Sequence, residues 1–562
     1  EIMPSLVGSE MCIRDSYNLE RLGKQKMNLF KPRSYFSFRE LSSGRCFLYC
    51  LISGASTGLC VSAQQVWFLC FLTLIPFIYI MLCVKHSARR QFFCSLGFFA
   101  AYYTPVLLWL YTLTRVLSDD VSPIIAFLIM TLALILILLV LCTLSSLCLL
   151  PLKWLARPSF SGLFIFASLF ILGEIIPEYM GELSFPWIRL SNAAAACTPF
   201  IQSASLFGSL FISLIILSAS GFITLALYNL PRKKRGAAIY ALAALIIISA
   251  NLLYGALAHI PQTASKTEVL LVQGNYSDSK KWREDLNSTY ERYKTLTLNG
   301  LNAQTRIVVW PETAITTVLD EQPWLKDSLK DLAAQNNITI ITGAFDSQLS
   351  PDGQKEIYNA LYVITPDGNI SEPYYKQALV PVGEFIPFEK AVALILPWLS
   401  ELRALEGTYF PASFGSENML FDTPDGKISG IICYESIIPH IAREQSAMGS
   451  ELLVMITNDS WFGTSAALTQ HLAHAQMRAV ENGKYLLRAG NTGITAIISP
   501  SGEIISRLQT DTAGSLNGTV SMISERTLYS RIGDLILLPG LLFTLYAAAC
   551  SIYEHIKFKK TQ

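Results

Sequence analysis

The sequence predicts a multi-pass α-helical membrane unit of about eight spans carrying one exported α/β domain. Hydrophobic residues make up 52% of the 562 and charged residues only 15%, too apolar for a soluble enzyme, and the chain is too long for one core. The apolar residues are concentrated before about position 260 and after about position 532. Between them, short β-branched runs alternate with helical stretches. A net charge of +1, with no basic patch interleaved with aromatics, points away from nucleic acid as a partner.

A helix needs roughly 20 apolar residues to cross the hydrocarbon core. Such segments lie near 46–63, 66–84, 91–114, 122–150, 160–177, 200–229, 236–259 and 533–554, the first diluted by Gly54, Ser56, Thr57 and Gly58. Aromatic side chains in these spans are expected to face lipid by default. The connecting charges alternate. Lys31, Arg33, Arg39 and Arg45 precede the first span, and Lys85, Arg89 and Arg90 follow the second. Lys153 and Arg157 follow the fourth, and Arg232-Lys233-Lys234-Arg235 the sixth. The other loops carry Gln64-Gln65, Asp119-Asp120, Glu178 and Glu182. By the positive-inside rule the N-terminus is cytoplasmic, 260–532 lie outside, and Lys557, Lys559 and Lys560 return to the cytoplasm. Residues 1–45 are then a leader of doubtful origin plus a cytoplasmic N-terminus, with Met27 opening a start at Met27-Asn28-Leu29-Phe30-Lys31. Residues 46–259 form a membrane domain of about seven helices, 260–532 the exported domain, and 533–562 a final membrane helix and tail.

Within the exported domain, strands are expected at 268–272, 306–310, 338–342, 360–364, 429–432, 452–457 and 494–498, and helices near 282–300, 324–336 and 466–484. Three strand ends deliver a reactive group. Trp310-Pro311-Glu312 places a carboxylate just past a buried run. Tyr374-Tyr375-Lys376 places an amine, and Ile431-Ile432-Cys433 a thiol. In open α/β sheets, sites gather at the carboxyl ends of strands, which makes these three candidates to converge. Cys433 is the only cysteine between about 260 and 532. It cannot form a disulfide within that region, and no second Cys is at hand for a metal. A thiol of pKa about 8.5 needs a base, for which Glu312 is placed, while Lys376 would stabilise the thiolate and an oxyanion. His471 and His474 stand at i and i+3, but no carboxylate or Cys cluster accompanies them, so they read as core or surface histidines and no metal is expected. Each residue also has a plain reading. A lone buried Cys is a small hydrophobe, and Glu312 after Trp-Pro can be a helix N-terminal carboxylate. Lys376 alone passes as a surface residue.

The ordered set of motifs resembles the nitrilase superfamily and, within it, the apolipoprotein N-acyltransferases. The motifs are Val272-Gln273-Gly274-Asn275, Trp310-Pro311-Glu312, Tyr375-x-Lys376 leading to Glu384, Ile432-Cys433-Tyr434-Glu435 and Asn458-Asp459-Ser460-Trp461-Phe462-Gly463. Arg478-Ala479-x-Glu481, Asn491-Thr492-Gly493-Ile494-Thr495 and the outer-loop Phe185-Pro186-Trp187 continue it. The resemblance implies an αββα sandwich for 260–532, placed on the periplasmic side of the bacterial inner membrane. It implies Glu312 as general base, Lys376 as oxyanion stabiliser and Cys433 as acyl-carrying nucleophile. Glu384, Tyr434 and Glu435 match supporting positions, although Glu384 and Glu435 also fit simple ion pairs holding Lys376. Trp282 matches a Trp on a mobile arm over the substrate entrance. With Trp461 and Phe462 it is a candidate for substrate contact, though Trp282 and Phe462 also read as plain packing.

The implied activity moves a fatty acyl chain from a phospholipid donor to the α-amine of a diacylglyceryl-cysteine on an apolipoprotein acceptor. It runs by a ping-pong route through a thioester and needs no cofactor. The rivals are a membrane-tethered nitrilase-type amidase using water as second nucleophile, and a non-catalytic receptor or transporter.

Overall fold

The computed structural model describes residues 42–118, 121–155, 157–258, 265–276, 284–351, 353–381, 383–389, 394 and 412–560, except for the side chains of 555 and 557–560. The expected leader and Trp282 lie outside these residues. Among the described residues, eight helices are long and apolar enough to cross a membrane. They are Ser43–Ser62, Gln64–Cys83, Ala88–Leu117, Pro123–Leu155, Phe160–Tyr179, Ser209–Asn229, Lys234–Leu257 and Leu528–Glu554.

Two features of the spans differ from the sequence expectation. Gly54 and Gly58 do not weaken the first span so much as allow it to touch the third. A Cβ on Gly54 would stand 2.2 Å from the carbonyl oxygen of Phe98, and one on Gly58 2.3 Å from that of Tyr102. Small residues four apart let two backbones meet, which is how helices gain contact in lipid. The same packing takes aromatics away from lipid. Phe98, Phe99, Tyr102 and Tyr103 are buried, and Phe77 stacks on Phe98 with ring centroids 3.7 Å apart. The sixth span also starts later than expected. Gly208, at φ +81°, breaks the chain, because a Cβ there would meet the Tyr529 ring at 2.5 Å. The apolar stretch before it forms the short helices Thr198–Ile201 and Ala204–Phe207, and Ala204 is buried in a core shared with the α/β domain. A docking surface therefore has the composition of a span.

The α/β domain has two six-stranded sheets. The first runs β12-β1-β2-β3-β4-β5, comprising β1 (Lys266–Gln273), β2 (Thr305–Val309), β3 (Thr339–Leu349), β4 (Lys355–Ile364), β5 (Tyr374–Tyr375) and β12 (Gly514–Ser521). The second runs β11-β10-β9-β8-β7-β6, comprising β6 (Phe421–Thr423), β7 (Gly426–Ile432), β8 (Leu452–Thr457), β9 (Leu486–Gly490), β10 (Ala496–Ile498) and β11 (Ile504–Arg507). The pleat sorts side chains by parity. Val269 and Leu271 of β1 meet Val454 and Ile456 of β8 between the sheets. Leu270 and Val272 turn outward toward helices Leu286–Gly300 and Pro323–Asn336. Leu453 and Met455 pack with residues of helices Pro439–Met448 and Ala467–Asn482. The layering is αββα, as expected from the resemblance. The strands missed by the sequence reading (β6, β9, β11 and β12) are short, at a sheet edge or polar. They gain stability from neighbouring strands rather than from their own pattern.

Tyr434, Ile437, Ile438 and Ile441, with Ala473, Met477 and Val480, belong to the same buried cluster as the membrane helices. The segment just after Cys433 is therefore where the α/β domain rests on the membrane unit.

Candidate active site

β2 runs parallel to β3, and just beyond its end Pro311 carries the chain into the turn holding Glu312 and Thr313. The turn is pressed against β3. A Cβ on Gly343 would lie 2.8 Å from the Glu312 Cα and 2.5 Å from the Thr313 nitrogen. Glycine at 343 is what permits that approach. Lys376 follows β5, whose register against β4 brings Tyr375 opposite Ala360. The Lys376 N–H donates to the Asn359 carbonyl at 2.9 Å, so the amine is aimed from the same strand pair.

Glu312 and Lys376 are 5% and 1% exposed. Lys376 Nζ donates to Glu312 Oε1 at 2.9 Å and to Glu384 Oε1 at 2.8 Å. Asn359 Nδ2 donates to the same two oxygens at 2.8 and 3.1 Å. The Asn458 N–H donates to Glu312 Oε2 at 2.8 Å, and the Val380 N–H to Glu384 Oε2 at 2.8 Å. Burial alone would discharge the Lys376 amine, but the two carboxylates outweigh it and hold the amine charged well above its ordinary range.

Cys433 directly follows β7 at φ +51°, a left-handed conformation that a side-chain-bearing residue rarely adopts. Such backbone persists only where surroundings over-determine it, and it clusters at functional sites. The thiol is pushed up, first by burial and then by the Glu312 carboxylate; Lys376 and a hydrogen bond with Thr457 oppose this without reversing it. Lys376 already serves two carboxylates, and the protonated thiol is favoured.

Glu435 lies two residues on and is buried. It accepts from the Ile432 N–H at 2.7 Å, the Gln377 N–H at 2.6 Å and the Tyr374 hydroxyl at 2.8 Å. Burial lifts its carboxyl to about 7, less than it would without those donors. Glu435 thus ties β7 to the segment that follows Lys376. Tyr434 reaches the membrane side, where its hydroxyl donates to the Ser184 carbonyl at 2.8 Å.

Trp461 packs near Gly383, and its carbonyl accepts from the Thr112 hydroxyl of the third span at 3.1 Å. Phe462 meets Trp109 and Trp187 edge-on, with ring centroids 5.1 and 5.6 Å apart. Phe462 is thus at least a packing residue between the two units. A cavity of about 240 Å³ opens beside Tyr434, lined also by Ser184, Ala378, Phe385, Phe414 and His440. Among the described residues no group of three or more His, Cys, Asp or Glu could hold a metal ion. The sequence reading missed Asn359, and it quoted Asn458 within a motif without giving it a role. Neither carries chemistry of its own, and only the strand register and the turn after β8 bring them to Glu312.

Two family models match the chain. The carbon-nitrogen hydrolase model covers residues 269–527, and the model for the N-terminal domain of apolipoprotein N-acyltransferase covers 53–222. The apolipoprotein N-acyltransferase of Geobacter metallireducens is 32% identical over 362 residues, spanning 62% of this chain and 67% of its own. That of Shewanella oneidensis is 32% identical over 415 residues, spanning 70% and 76%. The chain belongs to the apolipoprotein N-acyltransferase family. The Haemophilus ducreyi apolipoprotein N-acyltransferase is 30% identical over 410 residues, 71% of this chain and 76% of that one. Family membership and the apolar helices together make this a bacterial membrane protein with a nitrilase-type domain.

Proposed function

We propose that the protein is an acyltransferase that N-acylates apolipoproteins, with Cys433 as nucleophile, Glu312 as base and Lys376 as oxyanion stabiliser. The observation that carries this reading is the buried Glu312–Lys376–Glu384 cluster acting electrostatically on a thiol held in strained backbone. The site sits against the membrane unit, where a lipid ester and a lipid-anchored amine can both reach it.

In the first half-reaction Glu312 takes the Cys433 proton as sulfur attacks the phospholipid ester carbonyl. The Lys376 ammonium faces the oxygen that becomes negative, a contribution often worth about 3–4 kcal/mol for a single lost donor. The C–O bond breaks, and the lysophospholipid oxygen recovers the proton from Glu312. In the second half-reaction the neutral α-amine of the diacylglyceryl-cysteine attacks the thioester carbonyl. Glu312 takes a proton from nitrogen and returns it to the departing sulfur. Glu384 and Asn359 keep Glu312 and Lys376 in register through both steps, and Glu435 holds the β7 end. Keeping both substrates in the bilayer avoids extracting chains at about 0.8 kcal/mol per CH₂.

We place the domain of about 260–532 on the periplasmic side of the inner membrane. Water as second nucleophile would make the protein an amidase-like hydrolase, and the mass of the enzyme separates the cases. Purified full-length protein incubated with phospholipid alone is expected to gain one fatty acyl mass on Cys433 and to lose it on adding a diacylglyceryl peptide. Cys433→Ala is expected to gain none while remaining folded. An adduct that survives the acceptor, or one that forms on the alanine variant, would overturn the reading.

A further inference from the structure

A second buried polar cluster stands behind the nucleophile. His471, on helix Ala467–Asn482, is fully buried, and its Nε2 lies 3.2 Å from the Cys433 carbonyl oxygen. Its Nδ1 is 3.1 Å from Arg488 Nη2 and 3.0 Å from Asp459 Oδ1. A carbonyl only accepts, so Nε2 carries a proton toward Cys433, while Nδ1 is shared between the Asp459 carboxylate, which accepts, and the Arg488 guanidinium, which donates. Burial, reinforced by the Arg488 charge, disfavours a second proton on the ring, and the Asp459 carboxylate opposes this. Arg488 Nη2 also binds Asp459 Oδ2 at 2.5 Å, and its Nε donates to the Ile494 carbonyl at 3.0 Å. The ring is clamped on its faces too: Trp187 from the membrane unit stacks at 5.8 Å, and Phe462 meets it edge-on at 5.6 Å.

The cluster reaches both reacting groups. Because a peptide is planar, a hydrogen bond on the Cys433 carbonyl fixes the plane joining Cys433 to Tyr434. At the other end, Asp459 accepts from the Thr457 hydroxyl at 2.9 Å. Between those two stands Asn458, whose N–H holds Glu312. We infer that His471 is a positioning residue for acyl transfer: its Nε2–H holds the strained Cys433 peptide, while Asp459 and Arg488 fix the ring and, through the Asn458 turn, the base. This rests on Cys433 being the nucleophile.

The paired variants His471→Gln and His471→Asn test it in full-length protein in detergent. The glutamine amide reaches the Nε2 position, whereas the asparagine amide stops at the Nδ1 position facing Asp459 and Arg488. Both keep a polar group in the cluster, and melting temperature checks that both fold. The readout is the rate of fatty acyl adduct formation on Cys433 against phospholipid concentration and pH. His471→Asn is expected to lose about 100-fold in the saturating rate, the scale of an ångström misplacement, with half-saturation unchanged and the pH profile displaced to higher pH. His471→Gln is expected to stay within about fivefold, with the wild-type profile. Equal losses in the two variants with an unmoved pH profile would mean packing alone and overturn the inference, as would a wild-type rate in His471→Asn. No adduct in the wild-type protein would instead overturn the assignment of Cys433 itself.

Discussion

Lys376 is bound to Glu312 at 2.9 Å, yet the same nitrogen lies 2.8 Å from Glu384, so one cation answers to two buried carboxylates. Burial of Cys433 acts first on the resting sulfur, and the Glu312 carboxylate adds to it more than Lys376 offsets, so the thiol is favoured over the thiolate.

The pH dependence follows from that balance. The Cys433 pKa is raised, so its thiolate is scarce at neutral pH and grows as pH rises. Alkylation of resting Cys433 by iodoacetamide, followed by peptide mass spectrometry, is expected to rise about tenfold per pH unit from about pH 7 to 9 without a plateau. Glu312→Gln removes a charge that raises the thiol pKa, so its alkylation at a given pH is expected to be faster than wild type. Acyl adduct formation in the same variant is expected to fall by about 100-fold or more, because the base is gone. Slower alkylation in Glu312→Gln would contradict the electrostatic relation.

Gly343→Ala offers a test away from any reacting group. Its new Cβ would meet the Thr313 nitrogen at 2.5 Å and the Glu312 Cα at 2.8 Å, backbone atoms that must shift. Acyl transfer is expected to fall by about tenfold or more, since small misplacements of a catalytic group are costly. Gly514→Ala, where a Cβ would meet nothing within 4 Å, is the control and is expected to leave the rate unchanged.

The joint between the two units contains the Arg189–Glu178 pair at 2.5 Å, with side chains 2% and 1% exposed. Breaking it by Arg189→Ala leaves the buried Glu178 carboxylate with His440 as its remaining ion-pair partner, at an expected cost of about 3 kcal/mol. Lys355→Ala removes the surface pair with Glu321, both about half exposed, and is expected to cost no more than about 1 kcal/mol. Thermal unfolding of the two variants in detergent measures the contrast. Equal shifts would mean that the buried pair does not hold the joint.

Orientation is open to direct labelling. Asp422→Cys, at an exposed position in the α/β domain, is expected to react with a membrane-impermeant maleimide in intact spheroplasts. Lys233→Cys, exposed in the basic connection between the sixth and seventh spans, is expected to react only after the membrane is opened. The reverse pattern would invert the proposed topology.

Local pattern in the sequence determined the spans, the layered α/β domain and the three residues offered as a triad. Twenty-residue apolar runs and period-two strands are set by each segment's own burial, and Glu312, Lys376 and Cys433 stand at the ends of such segments. Tertiary structure decided what depends on two segments meeting. It turned the apolar run at 200–207 into a docking surface, because Gly208 can take a backbone that no helix continues through. It drew Phe98 and Tyr102 into the bundle, because Gly54 and Gly58 admit a close crossing. It gave Asn359, Asn458 and His471 their places around Glu312 and Cys433, residues whose types say little alone. It also set the charge state of Cys433, since a pKa depends on the sum of burial and neighbouring charges, and those neighbours come from strands far apart in the chain.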